Sequence, residues 1–178
     1  MRKLLLLKLI IVALLFALQH KSYAQYYTIP FAGGDGTPEN PYQIETWQQF
    51  EKMLESEDGA LSNKHFIQTA DIDNWNADMI YNYSEASYPL TGVYDGNGYK
   101  LTNFNRIYAA VPGQYASIFK RIGQGGILKN LTIEVSDLVI EAGAGGPYLY
   151  DAVLVAQNEG TIENCHISNS HITGGTGA

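Results

Sequence analysis

The segment Gly125-Gly126-Ile127-Leu128-Lys129-Asn130-Leu131-Thr132-Ile133-Glu134-Val135 decides the fold. From Leu131 onward it alternates apolar and polar residues, the period of a half-buried strand. Its Leu128-Lys129-Asn130-Leu131 portion recurs as Leu101-Thr102-Asn103-Phe104 and as Ile162-Glu163-Asn164-Cys165. Glycines introduce each copy: Gly96 and Gly98, then Gly125 and Gly126, then Gly160. The asparagines stand 27 and 34 residues apart. Recurrence on this scale predicts a solenoid, whose units bury their apolar faces only by stacking on one another. Asn103, Asn130 and Asn164 are then expected to form a ladder. An asparagine at a bend can serve the local backbone while its amide pairs with the copy one turn above.

Outward from the repeats, Ala116-Ser117-Ile118-Phe119 precedes the second asparagine segment and Ala152-Val153-Leu154-Val155-Ala156 the third. The intervals exceed a bare turn of solenoid, so loops at 108–114 and 142–150 are expected to absorb the excess. Val93-Tyr94-Asp95-Gly96-Asn97-Gly98-Tyr99 reads as strand, tight turn, strand. Upstream, His65–Thr69 reads as a strand that Ala70-Asp71-Ile72-Asp73 carries into a turn. Residues 74–89 show no period and are expected to protrude as an aromatic loop, whose Trp75, Tyr81, Tyr83 and Tyr88 either offer flat faces to a ligand or pack down over the helix side. Pro41-Tyr42-Gln43-Ile44 is a short strand. After it, Thr46 and Gln49 form a capping box, and Trp47, Phe50 and Leu54 share one face of a single amphipathic helix. Such a helix suits a lid over the first turn of the stack.

The N-terminus carries the marks of an export signal. Arg2, Lys3 and Lys8 precede the apolar run Leu9–Leu18, and Ser22-Tyr23-Ala24 sets small residues where cleavage before Gln25 is expected. The run is short for a membrane span, which needs about 20 apolar residues. The sequence therefore divides into a signal peptide, 1–24, and one domain, 25–178, with a cap over about 25–70 and repeats over about 91–178. The signal holds four of the chain's 11 basic residues and none of its 18 acids, so the remainder has a formal charge of −11. Such a surface disfavours nucleic acid and anionic membranes. Cys165 is the one cysteine, which excludes an internal disulfide, and it reads as a small buried hydrophobe. No helix or charged strand closes His171–Ala178, an ending expected of a fragment.

These residues resemble exported bacterial cell-surface proteins that carry GLUG motifs. The likeness runs from about Gly33 to the end. It takes in Gly33-Gly34-Asp35-Gly36-Thr37, Asn40-Pro41-Tyr42-Gln43-Ile44, the helix from Thr46, Ala70–Asp73, Tyr94–Tyr99, and the Asn130 and Asn164 segments. Where that family has Gly-Leu-any-Gly, this chain has Ser117-Ile118-Phe119-Lys120 and Val153-Leu154-Val155-Ala156, with both glycines replaced in both copies. Lys120 is accordingly expected at an outward-facing or widened corner. The resemblance implies an all-β fold, a right-handed parallel β-helix with one N-terminal capping helix. It also implies an adhesin-like surface module rather than a defined catalyst.

Parallel β-helices also host polysaccharide lyases and glycosidases. A glycosidase needs two carboxyls across one bond, and Asp71, Asp73 and Asp95 are the only acids worth considering. Asp95 is explained by its turn, and Ile72 between the other two is expected in the core. A lyase would need a base, and the mature chain offers Arg106 and Arg121, with Lys120 beside the latter. His166 and His171 have no matching third ligand. There is neither a phosphate loop nor a serine elbow. No catalytic residue and no cofactor is assigned; calcium, on the three aspartates, is the one cofactor the composition admits. The expected function is adhesion or scaffolding, presenting loops to a carbohydrate or protein partner outside the cell. The alternatives are a carbohydrate-active enzyme whose catalytic turns lie in a missing part, or a structural piece of a larger surface array.

Overall fold

A computed structural model of the chain describes residues 29–54, 59–73, 79–81, 88–103, 106–109, 115–134, 137–142, 150–168 and 171–175. The proposed signal peptide, 1–24, lies outside these, as does the aromatic stretch at 25–28. The chain falls into two units, Met1–Pro30 and Phe31–Ala178. All the strands and the helix described belong to the second.

The strands come in successive passes. The first holds β1 (Tyr42–Ile44) and a helix, α1 (Trp47–Leu54). The second holds β2 (His65–Gln68), β3 (Ile72–Asp73) and β4 (Met79–Tyr81). The third runs through β5 (Val93–Asp95), β6 (Lys100–Thr102), β7 (Arg106–Ala109), β8 (Tyr115–Ala116) and β9 (Phe119–Ile122). The fourth repeats that order as β10 (Ile127–Lys129), β11 (Thr132–Glu134), β12 (Asp137–Ala142), β13 (Tyr150–Asp151) and β14 (Val155–Asn158). The fifth begins again with β15 (Thr161–Glu163), β16 (His166–Ser168) and β17 (His171–Gly175). Strands of equal rank pair in parallel. The first sheet is β1-β2-β5-β10-β15, the second β3-β6-β11-β16, the third β4-β7-β12-β17, with two-stranded ladders β8-β13 and β9-β14. The described chain is thus mostly strand, parallel in every sheet, with one short helix.

Register aligns like with like. In the first sheet Phe66, Tyr94, Leu128 and Ile162 are direct partners, and in the second Ile72, Leu101, Ile133 and Ile167. All six in the inner passes are at most 1% exposed, whereas Ile162 and Ile167 in the fifth pass are 37% and 41% exposed. Burial here depends on a pass on either side. Inside the stack, the hydroxyl of buried Tyr94 donates to Gln68 Oε1 at 3.0 Å. The Gln68 amide donates in turn to the carbonyls of Ala70 and Lys100, both at 2.9 Å. A fully partnered polar network of this kind is tolerated in a core.

The helix forms as its sequence predicts. Gln49 N–H donates to the Thr46 hydroxyl, while Gln49 Oε1 accepts from the Thr46 and Glu45 backbone. Phe50 is fully buried and meets Tyr94 and Phe119 edge-on, each at 5.7 Å between centroids. Met53, on the same face, is also buried. Before β1, Gly33 bridges Gln43 in antiparallel fashion. The chain thereby partly covers the outer edge of the first strand, and edge covering limits unwanted pairing.

Two expected loops contain strands. Residues 79–81 pair with β7 as part of the third sheet, although 74–89 has no period of its own. A three-residue strand takes its conformation from its partner, not from local propensity. Likewise β7 extends to Ala109, into the stretch expected to loop from 108. Lys120 lies within β9, not at a corner. Its segment stacks on the second GLUG-like segment, Ile118 and Phe119 donating to the carbonyls of Val153 and Leu154 at 3.1 and 2.8 Å. Ser117, where the motif has glycine, is fully buried and its hydroxyl donates to the Phe119 carbonyl.

Candidate functional site

Asn130 and Asn164 each occupy the corner between the first and second sheets, after β10 and β15. Both have positive φ, 54° and 50°, the left-handed conformation that asparagine tolerates better than most residues. Asn164 Nδ2 donates to Asn130 Oδ1 at 3.3 Å, and Asn130 Nδ2 donates to Asp95 Oδ1 at 2.9 Å. Asn103 is not in this column. It follows β6, one corner later, also at positive φ, and its amide donates to Asp73 Oδ1 at 2.7 Å. The three-membered ladder expected from sequence is therefore two asparagines ending on an aspartate. The sequence pattern around Asn103 misleads because Leu101 pairs with Ile133, not with Leu128. One pass earlier the same corner is the longer turn Gly96-Asn97-Gly98-Tyr99, where Asn97 takes φ 53°, as its place between two glycines predicts.

A second column precedes the same strands. Val93, Ile127 and Thr161 are register partners, so Gly92, Gly126 and Gly160 stand directly before them, 34 residues apart each time. A Cβ on Gly126 would lie 2.1 Å from the Leu90 carbonyl oxygen, and one on Gly160 2.3 Å from that of Gly126. The glycines let the backbones close, and the carbonyls of Gly92 and Gly126 accept from Ile127 and Thr161, both at 2.9 Å.

The three candidate carboxylates are all engaged locally. Asp71 accepts from the Lys100 backbone at 2.8 Å, Asp73 from Asn103, and Asp95 from the Asn97 backbone at 2.8 Å as well as from Asn130. Partial burial pushes the Asp95 carboxyl up, but the Asn130 amide, the Asn97 N–H and the Lys129 ammonium together hold it below the usual aspartate value. Ile72 is buried between Asp71 and Asp73, which are exposed. Among the described residues no three His, Cys, Asp or Glu side chains converge to hold a cation. His166 and His171 lie on β16 and β17, in different sheets. Cys165 is half-buried against the core, and burial pushes its thiol up.

Of the expected ligand-contact residues, Trp75 and Tyr83 lie outside the described residues. Tyr81 belongs to β4, in the third sheet. Tyr88 is 53% exposed and borders a shallow cleft between α1 and β9. The cleft has an apolar floor that includes Met53, Leu61 and Leu90, and Lys120 and Arg121 line it too. It encloses ≈ 40 Å³, room for a few waters rather than a sugar ring.

No family model matches the chain, and no solved structure matches it. Among curated proteins it is similar to one named as a Gly-rich membrane protein, from Evansella cellulosilytica. The two are 31% identical over 170 residues, covering 88% of this chain and 18% of that protein. It is also similar to halomucin of Haloquadratum walsbyi, 29% identical over 145 residues, covering 74% of this chain and 1% of halomucin. The chain spans less than a fifth of the length of the curated relatives it matches.

Proposed function

We propose that this chain is an exported, surface-displayed right-handed parallel β-helix, acting in adhesion or scaffolding by presenting side chains and loops to a carbohydrate or protein partner. The observation that carries this reading is the parallel register of successive passes, in which strands of equal rank pair in the same order. A stack of that kind is stiff and extends by adding passes, which suits a spacer in a long surface protein. The names and lengths of the two relatives fit such a setting, as does the sequence before Gln25. Catalysis is the weaker reading, because Asp71, Asp73 and Asp95 are each committed to a backbone or amide partner within the fold.

Two measurements test this. Expressed with its leader in a bacterial host, the chain should appear outside the inner membrane with Gln25 as its first residue. Retention of Met1 inside the cell refutes export. On an array of glycans and extracellular proteins the exported product should bind without turnover. Release of oligosaccharides from a polysaccharide panel would replace adhesion with the enzymatic alternative.

A further inference from the structure

We propose that the outer edge of the fifth pass, along β15 and β16, docks a parallel strand from a partner polypeptide. That strand carries an aliphatic residue over Ile162, lysine or arginine over Glu163, and asparagine over Asn164. This deepens the adhesion reading by making the partner a protein, and rests on it. From β10 and β11 to β15 and β16, register partners stand 34 residues apart at every position. Each fourth-pass group finds its partner in the fifth. The Gly126 carbonyl accepts from Thr161 N–H at 2.9 Å, and Asn130 N–H donates to the Glu163 carbonyl at 3.1 Å. Asn130 Oδ1 accepts from the Asn164 amide at 3.3 Å. The fifth-pass counterparts, the Gly160 carbonyl, Asn164 N–H and Asn164 Oδ1, have no such partner among the described residues. Leu128, Leu131 and Ile133 are at most 1% exposed, whereas their counterparts Ile162 and Ile167 are exposed and Cys165 is half-buried. The edge thus repeats an interior interface and leaves it open, a template for strand addition.

Charge names the partner. Gln43, Ile67, Asp95, Lys129 and Glu163 are successive register partners in the first sheet. Lys129 Nζ lies 3.3 Å from Asp95 Oδ2, so acid and base alternate over the last three passes. Glu163 ends the series, exposed and without an ion pair among the described residues. A base in the next place continues the alternation, and an acid breaks it. A second copy of this domain does not supply that strand. At its opposite end the column offers Gln43, whose N–H and carbonyl are already bonded to Gly33 and Ala32 at 2.9 and 3.0 Å. Two fifth-pass edges face to face would bring both Glu163 carboxylates into one interface, and residues 159–168 contain no lysine or arginine to offset them.

The fourth pass supplies the probe. A labelled, terminally blocked peptide copying residues 124–135 is titrated with the full chain and followed by fluorescence anisotropy. Beside it run the same peptide with Lys129→Glu and a scrambled peptide. The lysine peptide should bind about tenfold tighter than the glutamate peptide, the gap narrowing as salt rises. It should also protect Cys165 from alkylation, since its copy of Leu131 would lie over the thiol. Glu163→Lys, at an exposed site, should reverse the preference between the two peptides, and Ile162→Asn should weaken both. Circular dichroism establishes that each variant is folded. Equal binding of the lysine, glutamate and scrambled peptides, an unchanged preference in Glu163→Lys, or no binding at all overturns the proposal. A dimer in sedimentation that Ile162→Asn dissolves also overturns it, because a second copy then holds the edge. If array binding is the same in Glu163→Lys and Ile162→Asn as in the wild type, this edge is the wrong site while the adhesion reading stands. Selective peptide binding beside a silent array supports the edge chemistry and refutes that reading instead.

Discussion

Replacing Gly126 with alanine tests the closeness of adjacent passes. The new Cβ would sit 2.1 Å from the Leu90 carbonyl oxygen. That neighbour is backbone and cannot rotate away, so the passes must separate by about 1 Å against a strand spacing of about 4.8 Å. Two hydrogen bonds cross this junction, Ile127 N–H to the Gly92 carbonyl at 2.9 Å and Gly123 N–H to the Leu90 carbonyl at 2.8 Å. A 1 Å separation would break both, at about 1 kcal/mol each, and overpacking adds about 1–2 kcal/mol. We expect a loss of about 3 kcal/mol, a fall in Tm of about 6–12 °C for a domain of this size. Gly125 is the internal control. It has φ +83° with open space around it, so Gly125→Ala pays only the left-handed penalty of about 1 kcal/mol. Urea unfolding followed by circular dichroism, with an unchanged m-value, reads both. Equal losses in the two variants would refute the tight-stack reasoning, since the passes would then move apart freely.

Asn130→Ala should cost about 3 kcal/mol, because it loses the Asp95 and Asn164 bonds and places alanine at positive φ; Asn130→Gly should recover the backbone part alone. In a urea-melt double-mutant cycle Asn130→Ala should couple to Asn164→Ala by about 0.5–1 kcal/mol and add independently to Asn103→Ala, whose partner is Asp73. Asp95 is held below its unfolded value near 3.9, so the unfolded chain binds the extra proton. Its contribution is present above about pH 4 and is lost as pH falls through the lowered native value. Asp95→Asn should flatten that acid limb in urea midpoints measured against pH, and an unchanged slope would refute the assignment. Tyr94→Phe leaves Gln68 Oε1 without its donor and should destabilise by about 1–3 kcal/mol. Burial, with Asp95 adding to it, raises the Tyr94 phenol, so an alkaline absorbance titration should show one tyrosine silent until the fold opens.

Much of the fold was legible because several signals are local. The Thr46–Gln49 capping box, the alternation through Ile133 and the asparagines at the β10 and β15 corners depend on near neighbours alone. What failed depends on which corner a residue serves. Leu101-Thr102-Asn103 looks like Leu128-Lys129-Asn130 as a string, yet the two sit on different sheets, and only pairing reveals it. The truer marker was the even 34-residue spacing of Gly92, Gly126 and Gly160, whose meaning is a backbone approach that no side-chain pattern encodes. The strand at 79–81 was missed for a related reason, since its partner at 107–109 lies far along the chain. The cleft was half visible: Tyr88 stood out as an aromatic and Arg121 as one of two basic candidates, but only the Leu90–Ile122 bridge sets their segments side by side.

The even spacing of the glycine column also bears on how such a protein changes length. Duplicating or deleting one whole unit cut at the glycine column, from Gly92 up to Gly126 or from Gly126 up to Gly160, would return the strands that follow to equivalent places, whereas the offset between register partners elsewhere varies, as between Lys100 and Thr132 or Phe119 and Val155. A unit one residue longer or shorter, if its error fell within a strand, would turn the inward side chains outward. Unequal recombination between such units is therefore filtered by backbone geometry. Variants that survive should differ in whole multiples of the unit, or in insertions confined to the connections.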